Sequence, residues 1–111
     1  MQGTLLLATL VLTQTTAPEP RYRQALECSV SVPFVLEARG ASPDETSAAA
    51  ARYVALAVKW APQGKNAAVV DAERADYVSA IGMTLSFLGQ EQVEADFTRG
   101  MGRCEALLRL P

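Results

Sequence analysis

Residues 91–110 read EQVEADFTRGMGRCEALLRL. Within them Val93, Phe97, Met101, Cys104 and Leu108 recur at spacings of four, four, three and four, which is one face of an α-helix. Cys104 lies on that face and so points inward. The chain's other cysteine, Cys28, lies near the opposite end of the sequence. If the two sulfurs join, a first and a last helix are held together, and whatever lies between must fold around them.

Working upstream, Gly89 is a natural C-terminal stop for a helix beginning at Ala67. This third helix carries Val70, Tyr77, Ile81 and Leu85 or Leu88 inward, and Gly82 marks a bend or a close helix contact. Gln63, Gly64, Lys65 and Asn66 make the preceding turn, with Asn66 as N-cap. Ser42-Pro43-Asp44-Glu45 is the strongest local signal. Serine caps, proline suits the first helical position, and glutamate three residues on completes a capping box. A helix from about Pro43 to Trp60 follows, with a core stripe of Ala49, Tyr53, Leu56 and Trp60, or a rotation of it using Val54 and Ala57. Glu91 and Glu94 suit the positive start of the last helix, and Arg103 and Arg109 its negative end.

The first helix is less clear. From Arg21, after an extended linker Pro18–Pro20, Ala25, Cys28, Val32 and Val35 or Leu36 repeat at helical spacing up to Gly40. Pro33 removes one helical hydrogen bond and clashes with the Ser29 carbonyl, so the expectation is a helix kinked or broken there. Alternation of Cys28, Val30, Val32 and Phe34 also permits a short strand. Four helices joined by short loops predict an all-α fold, a small, mostly antiparallel four-helix bundle.

The opening run, MQGTLLLATLVLTQTTAPEP, holds an apolar core from Leu5 to Leu12 of the length of a signal-peptide h-region. It is too short to cross a bilayer, which needs about twenty apolar residues. Thr15 and Ala17 occupy −3 and −1 of a cleavage after Ala17. The expected organisation is a signal peptide over 1–17 and a disulfide-stapled helical domain over 18–111, periplasmic or secreted, with no stable membrane span after cleavage. Pro18 at +1 and the lack of basic residues before Leu5 run against this. The alternative is a buried N-terminal helix or strand of a cytosolic protein.

At 111 residues, half of them apolar and a fifth charged, the chain has room for one packed domain. Ten basic and twelve acidic residues, interleaved, give a net charge of −2. No basic stripe marks a nucleic-acid binder. Histidine is absent, which removes the usual general base and the commonest metal ligand. The expectation is therefore no enzyme, no cofactor and no metal site.

Cys28 and Cys104 are read as a structural disulfide. They form no C-x-x-C motif, and two sulfurs without histidine make no zinc site. Closing a loop of roughly 77 residues stabilises by about 4 kcal/mol on the chain-entropy model. Asp71, Glu73 and Asp76, then Glu91, Glu94 and Asp96, read as solvated faces away from the apolar stripe. Trp60 and Tyr53, seven apart, read as core ahead of a pocket or partner groove. Ser29, Ser31, Ser79 and Ser86 lie in no G-x-S-x-G setting.

An apolar leader, the early Cys28, an Ala-rich middle with a Tyr-Val pair and a last helix carrying Arg103-Cys104 resemble small exported all-α bacterial proteins of unknown function. The resemblance implies a layout and a compartment, with no activity. In size, leader and cysteine count the chain is also similar to the small acid-stress chaperones of the periplasm. The expected function is a non-enzymatic structural or protein-interaction role with an unknown protein partner. The alternatives are a periplasmic stress chaperone or inhibitor, and a small-molecule or metal carrier or enzyme using the carboxylates.

Overall fold

A computed structural model describes residues 19–111. The signal-peptide expectation for residues 1–17 lies outside the described residues. Four helices follow one another: α1 (Glu19–Ala38), α2 (Pro43–Trp60), α3 (Ala67–Leu88) and α4 (Gln90–Leu107). No strand occurs among the described residues.

The first helix begins at Glu19, two residues earlier than its pattern indicated, with Pro20 in the first turn where a missing N–H costs nothing. It then runs through Pro33 without interruption, so the expected break and the alternative strand are both corrected. The physical reason lies on α3. Pro33 has no N–H to give the Ser29 carbonyl. The Arg74 guanidinium supplies one instead, Nη2 donating to Ser29 O at 2.9 Å.

The start of α2 is as its sequence dictates. Glu45 N–H donates to Ser42 Oγ and Ser42 N–H to Glu45 Oε1, both at 3.2 Å, and Pro43 occupies the first turn. Asn66 caps α3 through its side-chain oxygen, which accepts from Val69 N–H at 3.0 Å. Gly89 ends α3 and starts α4 in one residue. Its φ of 84° is open to glycine and strained for any L side chain.

The most extensive packing joins α1 and α2. Ala25, Ala49 and Ala57 are small and buried there, which lets the two helices approach closely. Tyr22, Leu26, Val32, Tyr53, Trp60, Val70 and Leu107 fill the rest of the core. The stripe of α2 buries Ala49, Tyr53 and Trp60 as expected and adds Ala57 from the rotated alternative, while Leu56 and Val54 are half-buried. On α4, Val93, Cys104 and Leu107 are buried. Leu107 replaces the expected Leu108, which is at the surface because the helix ends at Leu107. Arg109 accordingly lies in the turn beyond.

Cys28 and Cys104 meet at disulfide distance, Cα to Cα 5.7 Å. Phe34 and Phe97 stack edge to face, 5.4 Å between ring centroids. Residue numbers therefore rise along α1 as they fall along α4, and these two helices run antiparallel. Arg21 near the start of α1 lies 5.6 Å from the Trp60 ring at the end of α2, the same relation.

The third helix packs less fully than its expected inward stripe. Of its 22 residues only Val70 is buried. Tyr77, Ile81 and Leu85 are half-buried and Leu88 is exposed, so of the two alternatives Leu85 is the one that packs.

Candidate functional site

Three places bring chemistry-bearing side chains together. The first is a polar cluster tying α1 and α3 to the α2–α3 turn. Tyr22 OH donates to Glu73 Oε1, and Lys65 Nζ reaches both Glu73 oxygens at 3.1 and 2.9 Å. The same ammonium lies 4.9 Å from the Tyr22 ring centroid. The hydrogen bonds from Tyr22 and then Lys65 hold the Glu73 carboxyl below its ordinary pKa. Glu73, expected on a solvated face, is thus an interhelical partner. Asp71 and Asp76 are exposed as expected.

The second place is a groove of about 270 Å³ beside the disulfide, between α1, Tyr77 of α3, and α4. Glu27 and Ser31 line one side, Asp96, Phe97 and Arg103 the other. Burial, and next the charge of Glu27, push the Tyr77 hydroxyl pKa up, so the phenol stays protonated at neutral pH. Asp96 accepts from Gln92 Nε2 at 3.2 Å and pairs with Arg99. The groove offers hydrogen-bond donors, carboxylates and an apolar ring. The chain has no histidine to act as a base there.

The residues singled out in the sequence fall elsewhere. Ser29 Oγ donates to Leu26 O at 2.6 Å and accepts from Arg74 Nε at 2.9 Å, so its hydroxyl is structural. Trp60 and Tyr53 are core residues and line neither this groove nor the hollow beside Tyr22 and Glu73. No group of three or more His, Cys, Asp or Glu side chains able to hold a metal occurs among the described residues.

The third place was missed from the sequence. The second half of α3 exposes Val78 (45%), Met83 (66%), Phe87 (85%) and Leu88 (54%), of which Met83 and Phe87, four apart, share one side of the helix. From Tyr77 to Gln90 no residue is charged. Two hydroxyls on this stretch are turned onto the helix itself: Thr84 Oγ1 donates to Ala80 O at 3.0 Å and Ser86 Oγ to Gly82 O at 3.3 Å. Such back-bonded hydroxyls need no outside partner. The available signal was the unbroken charge-free run, apolar on all sides, which three-and-four spacing could not resolve into an inner and an outer face.

No helix among the described residues is long and apolar enough to cross a membrane. No family model matches the sequence, and no curated protein and no solved structure matches it either.

Proposed function

We propose that this chain is an exported, non-enzymatic interaction protein whose disulfide-bonded helices present the end of α3 to a partner. The observation that carries the reading is the charge-free run 77–90 with Phe87 almost fully in water. Met83 and Phe87, one turn apart on the same side of α3, together leave roughly 300 Å² of apolar surface exposed, at the low end of the patch sizes that mark interaction sites. Scattered exposed residues such as Val58 carry no such meaning.

Export is supported by the Leu5–Leu12 run with Thr15 and Ala17 behind it, and by a cysteine pair at bonding distance. Such a bond persists in oxidising compartments. The same reading makes residues 1–17 a signal peptide and 18–111 the mature domain.

The test is a photo-crosslinking amino acid placed at Phe87 in living cells, with exposed Ala51 on α2 as control. Discrete adducts at position 87 and none at 51 are expected. Equal labelling at both positions, or none at either, would remove the interaction role. Cell fractionation and intact mass decide export. A cytosolic protein that keeps residues 1–17 overturns it.

A further inference from the structure

Away from the exposed end of α3, we infer that the groove beside the disulfide binds a small zwitterion, an amino acid with an apolar side chain. The Ser31 hydroxyl is the first sign. Ser31 is only 8% exposed, yet its Oγ makes no hydrogen bond among the described residues. None of their side-chain oxygens is both sealed from solvent and unpartnered. The Ser31 oxygen is therefore open, and the groove is what it opens onto. A hydroxyl so nearly buried ordinarily has a partner. Ser29 shows the ordinary case, donating to Leu26 O and accepting from Arg74 Nε. Ser31 is left for whatever enters the groove.

Gly100 keeps the groove open. The Cys28–Cys104 bond joins antiparallel helices, so Ser31, three residues past Cys28, lies level with Gly100, four residues before Cys104. Gly100 is part of the groove wall. A Cβ there would meet only Arg103 Nη2, at 3.7 Å, so it would not touch Ser31. Any side chain at this position would take up room inside the groove. The volume of about 270 Å³ equals the liquid volume of about nine waters. That is room for a molecule the size of leucine.

Charge decides the class of ligand. Glu27 on α1 and Arg103 on α4 each stand one residue before the bonded cysteine, on opposite banks of the groove. Neither makes an ion pair or a side-chain hydrogen bond among the described residues. Asp96, the other charge in the wall, is already answered by Arg99 and Gln92. The lining thus leaves one unanswered charge of each sign. A plain anion would face Glu27 uncompensated, and a plain cation Arg103. A zwitterion satisfies both, its ammonium against Glu27 and its carboxylate against Arg103. Ser31 and Tyr77, whose hydroxyl also lacks a partner among the described residues, add donors for the carboxylate. The Phe97 ring, packed edge to face on Phe34, offers the apolar wall for the side chain.

Isothermal titration calorimetry of the oxidised protein with L-leucine, L-methionine and L-phenylalanine is the experiment. At least one should bind with a dissociation constant below about 1 mM. The amide of the best ligand, which lacks the carboxylate, and its N-acetyl derivative, which lacks the ammonium, should each bind about tenfold or more weakly. Glu27→Gln should weaken the amino acid about tenfold while sparing the N-acetyl derivative, and Arg103→Gln should do so while sparing the amide. Both side chains are exposed and unpaired among the described residues, so the melting temperature should stay where it is. Gly100→Leu should abolish binding, with the melting temperature unchanged or higher because glycine weakens a helix. No heat with any of the three amino acids overturns the proposal. So does equal affinity for either derivative, or binding that Gly100→Leu leaves intact.

Discussion

The Arg74 guanidinium donates to the Ser29 carbonyl, 45 residues away, at the position where Pro33 has left that carbonyl without its helical partner. A second donor of the same group, Nε, takes the Ser29 hydroxyl at 2.9 Å. Ser29 is buried, so an unpaired carbonyl there would carry the desolvation cost of an orphaned acceptor. One arginine on α3 thus lets α1 continue through a proline, and the continued helix carries Phe34 and Val35 to their packing sites.

A double-mutant cycle tests this. Arg74→Ala should cost about 2–3 kcal/mol in urea unfolding, the range for hydrogen bonds from a charged group to a buried acceptor. In a Pro33→Ala background the restored backbone N–H can pair with the Ser29 carbonyl, so the same substitution should cost about 1 kcal/mol less. An identical cost in both backgrounds would detach Arg74 from Pro33.

Ser42→Ala removes the side chain that accepts from Glu45 N–H and leaves the reciprocal half of the capping box. The loss of an N-cap hydroxyl costs about 1 kcal/mol. Chemical denaturation of the two proteins measures it. A midpoint that does not move would show that the cap contributes nothing to the start of α2.

What could be read in the chain was local. The Ser42–Glu45 box and the Asn66 cap depend on residues three apart, and both appear at the expected positions. The inward cysteines follow from helical spacing on α1 and α4. What could not be read depended on distance. Nothing near Pro33 announces that Arg74 will replace its missing N–H. Nothing near Glu73 announces Tyr22. Leu107 and Leu108 both continue the α4 stripe within its three-or-four tolerance, and only the place where the helix stops decides between them. On α3 the apolar residues surround the axis, so spacing alone could not say that Val78, Met83 and Phe87 are left exposed.

The Glu73 cluster makes stability depend on acidity in a defined sense. Its carboxyl pKa is lowered in the folded protein, first by the Tyr22 hydroxyl and then by Lys65. A group with a lowered folded pKa binds fewer protons folded than unfolded, so its contribution is present above the ordinary glutamate pKa. It is lost as the pH falls through that value and then through the folded one. Unfolding free energy measured from about pH 6 down to about pH 3 should therefore fall less steeply in Glu73→Gln than in the wild type. Parallel slopes in the two proteins would mean that Glu73 plays no part in acid sensitivity.

The cysteine pair joins the middle of α1 to the last turn of α4, 76 residues apart in sequence. On the chain-entropy model a closed loop of that length stabilises the fold by about 4 kcal/mol, mostly by restricting the unfolded chain. Reduction should accordingly lower the melting temperature by on the order of 20 °C in a domain of this size. Cys28→Ser/Cys104→Ser should melt near the reduced wild type, because both lack the same covalent link. The bond has no second cysteine beside either sulfur to exchange with, so it acts as a staple and the protein should show no disulfide-exchange activity. Thiol labelling of denatured, unreduced protein from the envelope fraction supplies the decisive count. No labelled cysteine is expected, and two labelled cysteines would mean that α1 and α4 are held by packing alone.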